Sequence, residues 1–150
     1  MNVLPIAESF ERVTYEELNG TQQEVYNFSK AASLLATYGF ECARIQADSL
    51  GADFLAHHMV RGTVLAVQLK GRVTIHKKYL DNPDLWIMCP VDSGWLLIPH
   101  VTLVKFVKDS TRGGLEKARS WQEDGYRHMK KPSAKLRELI DPWLLSAEAI

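Results

Sequence analysis

The chain has little cysteine, no long apolar run and no excess of either charge. Its 150 residues include two cysteines, Cys42 and Cys89, each inside an apolar segment and without the paired spacing of a zinc site. They read as buried, reduced thiols, which sets aside a disulfide scaffold. No apolar stretch approaches the roughly 20 residues of a membrane span, and no basic segment followed by an apolar one opens the chain. A soluble, cytoplasmic protein that does not engage membranes is expected. Internal repeats, low-complexity tracts and helix-turn-helix or zinc-finger patterns are missing too.

What is present suffices for a core. With 46% hydrophobic residues, a single domain over 1–150 is expected, with an N-terminal extension at 1–20 and a C-terminal region of loop and helices at 110–150. The formal net charge is zero, but it is unevenly spread: residues 1–60 hold 3 Lys or Arg against 8 Asp or Glu, and residues 61–150 hold 15 against 10. A basic half suits contact with phosphates, while ordinary scatter of solvated charge is the alternative.

The informative stretch runs from Gly51 to Ile75. Val64 to Leu69 is apolar except at Gln68, and Gly62 and Gly71 punctuate it, so it reads as a strand following the one that carries Asp53. Side chains alternate along a strand, which sends Gln68 and Lys70 to one face and Leu65, Val67 and Leu69 to the other. If the two strands pair, Asp53 reaches the Gln68–Lys70 face. A hard cation such as Mg²⁺ takes oxygen ligands, and Asp53, the Gln68 amide oxygen and the Leu69 carbonyl are candidates for that role. Lys70 would then stand beside a nucleophile and a developing negative charge.

This arrangement, an Asp at one strand end and Gln-Leu-Lys on the next, resembles the PD-(D/E)XK nuclease superfamily, in the branch of Holliday-junction-resolvase-like and intron-encoded homing endonucleases that carry Gln-x-Lys. Two departures stand out. Gly51-Ala52 precedes Asp53 where the pattern has Pro or a small residue, and Gln68 replaces the usual carboxylate, a ligand that holds a metal less tightly. The likeness spans about residues 22–106. It implies an α/β fold with a central mixed β-sheet flanked by helices, a Mg²⁺-dependent deoxyribonuclease activity in which Mn²⁺ substitutes, DNA as partner, and a homodimer or larger homo-oligomer. Catalysis would fall to Asp53, Gln68 and Lys70, with Glu24 from the first long helix as an outer ligand. The competing readings are a catalytically inactive nuclease-fold protein that binds nucleic acid or serves assembly, and an interaction domain in which Gln68 and Lys70 line an exposed sheet face.

The flanking segments add detail. A short helix is expected near Tyr15, and Asn19-Gly20 reads as a turn. Thr21, with Glu24 three residues on, gives a capping box for a helix to about Tyr38, whose apolar side is Val25, Phe28, Ala31, Ala32 and Leu35. Glu24 is thus a capping carboxylate or a site residue. Gly39 ends that helix and a strand follows to Ile45. Asp48 is the alternative to Asp53, and His57 shares the Asp53 face. The Gln68 strand is expected to continue through Val73 and Ile75, ending at Lys77-Lys78-Tyr79. Arg72, Lys77, Lys78, Lys130 and Lys131 are candidate contacts to backbone phosphates, which require only positioned positive charge. Strands at 85–89 and 95–98, a helix over 100–108, a short helix over 115–121, a polar loop over 122–132 and a last helix capped by Ser133, running through Leu145 with an interruption near Pro142, complete the reading.

Overall fold

The computed structural model describes residues 3–46, 51–92 and 94–146. Helices α1 (Ile6–Ser9) and α2 (Gly20–Thr37) lead into strands β1 (Phe40–Arg44), β2 (Phe54–His58), β3 (Val64–Leu69), β4 (Val73–His76), β5 (Leu85–Val91) and β6 (Gly94–Pro99). Then come α3 (His100–Ser110), α4 (Arg119–Glu123), β7 (Tyr126–Met129), α5 (Ala134–Ile140) and β8 (Leu144–Leu145). A mixed six-stranded sheet in the order β1-β2-β3-β5-β6-β8 forms the centre, with β4 and β7 in a separate two-stranded sheet. Only β3 and β5 run parallel; every other pair in the large sheet is antiparallel. No described helix is long and apolar enough to cross a membrane.

Two apolar layers explain why β5 is so uniformly hydrophobic. Its side chains alternate, with Met88 packing toward α2 beside Leu34, Leu35, Phe54 and Val67, and Ile87 and Cys89 packing toward α3 and α5 beside Leu103, Val107 and Ile140. A strand covered on both faces reads as a continuous apolar run. Cys89 is buried and its thiol is pushed up to about 12 by burial; Cys42 is half-buried and also shifted upward by burial.

The helix before the sheet is capped differently from the expectation. Asn19, not Thr21, is the cap: its side chain accepts from Gln22 N at 2.9 Å, and the Gln22 Oε1 accepts from Asn19 N at 2.9 Å. The buried face is Ala31, Leu34 and Leu35, whereas Val25 is exposed. Gly39, at φ +89°, ends the helix as expected.

Three further expectations are corrected. The Gln68 strand does not continue through Val73 and Ile75: it ends at Leu69, the chain bends at Gly71, and Val73–His76 leaves to pair with β7. Lys77–Asp81 is a 3-10 turn rather than a strand end. The region 110–150 is more than loop and helices, since β7 lies within the polar 122–132 stretch and β8 joins the edge of the large sheet along β6. No residue of α1 or of the 3-10 turn at Tyr15–Glu17 is buried, and Tyr15 meets Tyr26 of α2 at 5.4 Å between ring centroids.

Phe54 is fully buried and meets Phe28 edge-on at 5.3 Å between ring centroids, fastening α2 to the sheet just after Asp53. Phe54→Ala is expected to lower stability by about 3–5 kcal/mol in urea unfolding, and a loss below about 1 kcal/mol would contradict this packing.

Candidate active site

The backbone of Asp53 is clamped at the mouth of the β1–β2–β3 meander. Its N–H donates to Val67 O at 2.8 Å, and its carbonyl accepts from Ile45 N at 2.9 Å. Asp53 thus stands one residue outside β2, on the opposite face from Phe54, where the side chain of Gln68 also emerges. The carboxylate oxygen Oδ2 accepts from Gln68 Nε2 at 2.9 Å and from Leu69 N at 2.8 Å. The sequence pattern placed these two side chains together, and the geometry agrees.

Lys70 follows directly. Its backbone N–H donates to Met88 O on β5 at 2.9 Å, and its ammonium lies over the Tyr79 ring, 5.4 Å from the centroid. Arg44, at the end of β1, lies over Phe28 at 5.3 Å. An aromatic face attracts a cation without cancelling its charge, so both positive groups remain able to meet an anion.

Glu24, Asn27, Phe28, Arg44, Asp53, Gln68, Leu69, Lys70 and Gly71 line one cavity of about 300 Å³ between the start of α2 and the strand ends. Glu24 belongs to this wall, and with Gln22 in the capping box the capping role expected for Glu24 falls away. Arg44 escaped the sequence reading. The β1–β2 register sets Arg44 opposite Phe54, on the α2 face of the sheet, and it reaches the cavity from beside Phe28 at the strand end.

The remaining candidates fall elsewhere. Arg72 and Lys130 line a second hollow of about 250 Å³ that shares Gly71 with the first. Lys77 and Lys78 are exposed on the 3-10 turn, their ammoniums over Trp121 at 5.2 Å and Tyr79 at 5.1 Å. Lys131 is exposed and lines neither hollow. His57 is exposed inside β2, opposite Glu41 and Val64, away from the cavity. Asp48 lies outside the described residues.

Among the described residues no group of three or more His, Cys, Asp or Glu converges as a metal site. The donors at the strand ends are instead one carboxylate, one amide and backbone carbonyls, with Glu24 across the cavity. All are oxygen donors of the kind a hard cation takes, and too few are charged for tight binding.

Beneath Lys70 is a buried imidazole. His100, the first residue of α3, is fully buried, accepts from His76 N at its Nε2 (3.1 Å), and meets the Tyr79 ring edge-on at 5.4 Å. Accepting at Nε2 leaves the proton on Nδ1, a buried atom with no hydrogen-bond partner among the described residues. Burial, followed by the neighbouring His76, lowers the His100 pKa to about 4. The unfolded chain therefore takes up this proton near pH 6.5 and the folded chain only near 4. Stability is expected to be full above about 6.5 and to fall as the pH drops toward 4, with His100→Gln flattening that slope in urea unfolding. An unchanged slope in the variant would refute the assignment.

No family model matches the chain, and no curated protein does. Among solved structures, the bacterial homing endonuclease I-Ssp6803I is similar at a TM-score of 0.47 and 13% identity, over 84% of this chain and 90% of that one. Such a likeness is too distant to carry function from one chain to the other.

Proposed function

We propose that the cavity hydrolyses phosphodiester bonds of DNA, with a divalent cation as cofactor. The observation that supports this is the convergence of Asp53, Gln68 and Lys70 with Glu24 and Arg44 around one cavity. An anion entering there meets two cations held over aromatic rings, and a cation entering there meets the oxygens of Asp53, Gln68 and Leu69. Bound Mg²⁺, or Mn²⁺ in its place, would supply an acidified water and charge neutralisation at the phosphate.

The chain's own residues then divide the work. Asp53, fixed by two donors on Oδ2, keeps its carboxylate at the strand end. Lys70 offers its ammonium to the negative charge that builds on the phosphate oxygens during attack, a stabilisation greatest in the transition state. Arg44 holds the phosphate against Phe28's side of the cavity, and Arg72 and Lys130 extend positive charge beyond Gly71 for the adjacent backbone.

One observation favours a second reading, a nucleic-acid-binding module without catalysis. Gln68 turns its amide N–H, not its oxygen, toward Asp53, so the pair is satisfied without a cation. Gln68→Glu separates the two. In chelator the new carboxylate beside Asp53 is expected to cost about 1 kcal/mol, seen as a melting point lower by a few degrees. Added Mg²⁺ should reverse that loss if the oxygens form a cation site. No response to Mg²⁺ would favour the second reading.

Nicking of supercoiled plasmid and of a branched duplex tests the activity. With Mg²⁺ or Mn²⁺ the wild type is expected to nick, and Asp53→Ala and Lys70→Ala each to lose roughly 100-fold or more. Folded wild-type protein that nicks with neither metal would defeat the hydrolytic reading.

A further inference from the structure

Rings and cations continue outward from the cavity in one row. Lys70 lies over Tyr79; the Tyr79 centroid is 5.7 Å from that of His76, His76 is 6.1 Å from Tyr126, and Tyr126 is 4.9 Å from His128. Tyr79 is 4% exposed and acts as a joint, whereas His76 and Tyr126 are half-buried and His128 is exposed.

The row follows from the small sheet. In the β4–β7 register His76 stands opposite Tyr126, and Thr74 opposite His128, so the three rings rise from one face while Val73, Ile75, Arg127 and Met129 belong to the other. The 3-10 turn is tied to the start of β7 by Lys77 N donating to Gly125 O at 2.7 Å, with Gly125 at φ +71°. Burial, then Lys78 and Lys70, lowers the His76 pKa, which favours a neutral ring suited to stacking. Lys77 and Lys78, exposed on the 3-10 turn, adjoin His76, whereas Arg127 lies on the other face.

Half-exposed rings flanked by ammonium groups match one chemistry well: unpaired bases stack on the rings while the cations track the phosphates. A continuous duplex keeps its bases covered and offers such rings nothing to stack on. We propose that the β4–β7 face binds an unpaired strand of DNA, so that the substrate of the cavity carries single-stranded character next to the bond it presents. This rests on the phosphodiester reading for what happens in the cavity, though not for the binding itself.

The test is fluorescence anisotropy of labelled oligo-dT and of a hairpin duplex, in chelator and at moderate salt. Tyr126→Leu combined with His128→Ala is expected to weaken oligo-dT binding roughly tenfold or more and to change duplex binding by less than about twofold, while Tyr126→Phe keeps both. The proposal is overturned if the double variant binds oligo-dT as well as wild type does. It is equally overturned if duplex binding falls in parallel, which marks the rings as structural. Asp53→Asn, which keeps an oxygen acceptor for Leu69 N, removes no ring and is expected to keep full oligo-dT binding while losing nicking. Ring-dependent binding without any nicking would sink only the hydrolytic reading, and nicking with ring-independent binding would sink only this one.

Discussion

The bond from Leu69 N to the Asp53 carboxylate carries more of this structure than its 2.8 Å suggests. The β2–β3 ladder ends where Phe54 meets Val67, with Asp53 N donating to Val67 O as the last backbone bond to β3 on that side among the described residues. Asp53's side chain takes over as the acceptor, with Gln68 Nε2 on the same oxygen, while Met88 of β5 holds the other edge of β3 through Lys70 N. Lys70 is therefore fixed from both sides at the last position before the chain turns away at Gly71. Removing the carboxylate would unpin the strand end as well as alter its charge, which is why Asp53 and Lys70 act as one unit.

Charge in the cavity is arranged by aromatic faces. Arg44 over Phe28 and Lys70 over Tyr79 are each held against a ring. A cation–π contact at a partly exposed site is worth about 0.5–1 kcal/mol, enough to bias a side chain and too little to prevent it from meeting a phosphate. Phe28 serves twice, since its ring also packs edge-on against buried Phe54. The core and the cavity thus share a wall, and the placement of Arg44 depends on the apolar contact that docks α2.

The parts of the fold set by local pattern were legible in the sequence. The alternation of β3, the hairpin of β5 and β6, the glycine stop of α2 and the shared face of Asp53 and Gln68 each follow from residues close together in the chain. What escaped was decided by distant partners. Tyr126–Met129 is a polar run, Tyr-Arg-His-Met, that becomes a strand because β4 offers it an edge, and Leu144–Leu145 is two residues long and exists only along β6. Asn19 and Thr21 are both good caps with a polar partner three residues on, Gln22 and Glu24. Closing the box at Asn19 sets Glu24 loose for the cavity, a choice that the local pattern alone left open.

The break at Gly71 joins these features into one device. Had β3 run on through Ile75, His76 and Tyr79 would have stayed in the large sheet, and the cavity would have ended at Lys70. Instead the chain crosses to β4, and the segment from Gln68 to Tyr79 supplies a cavity wall, the shared rim at Gly71 and the first rings of the row. His100 braces the far end of this crossing, accepting His76 N at Nε2 and meeting Tyr79 edge-to-face, the ring on which Lys70 and Lys78 also rest. Its Nδ1, without a partner among the described residues, has a cost of order 1–3 kcal/mol for a buried polar atom. Both neighbours are polar or aromatic groups that a plain apolar residue would not hold in register. The first turn of α3 therefore sets the spacing between the lysine of the cavity and the ring row beside it.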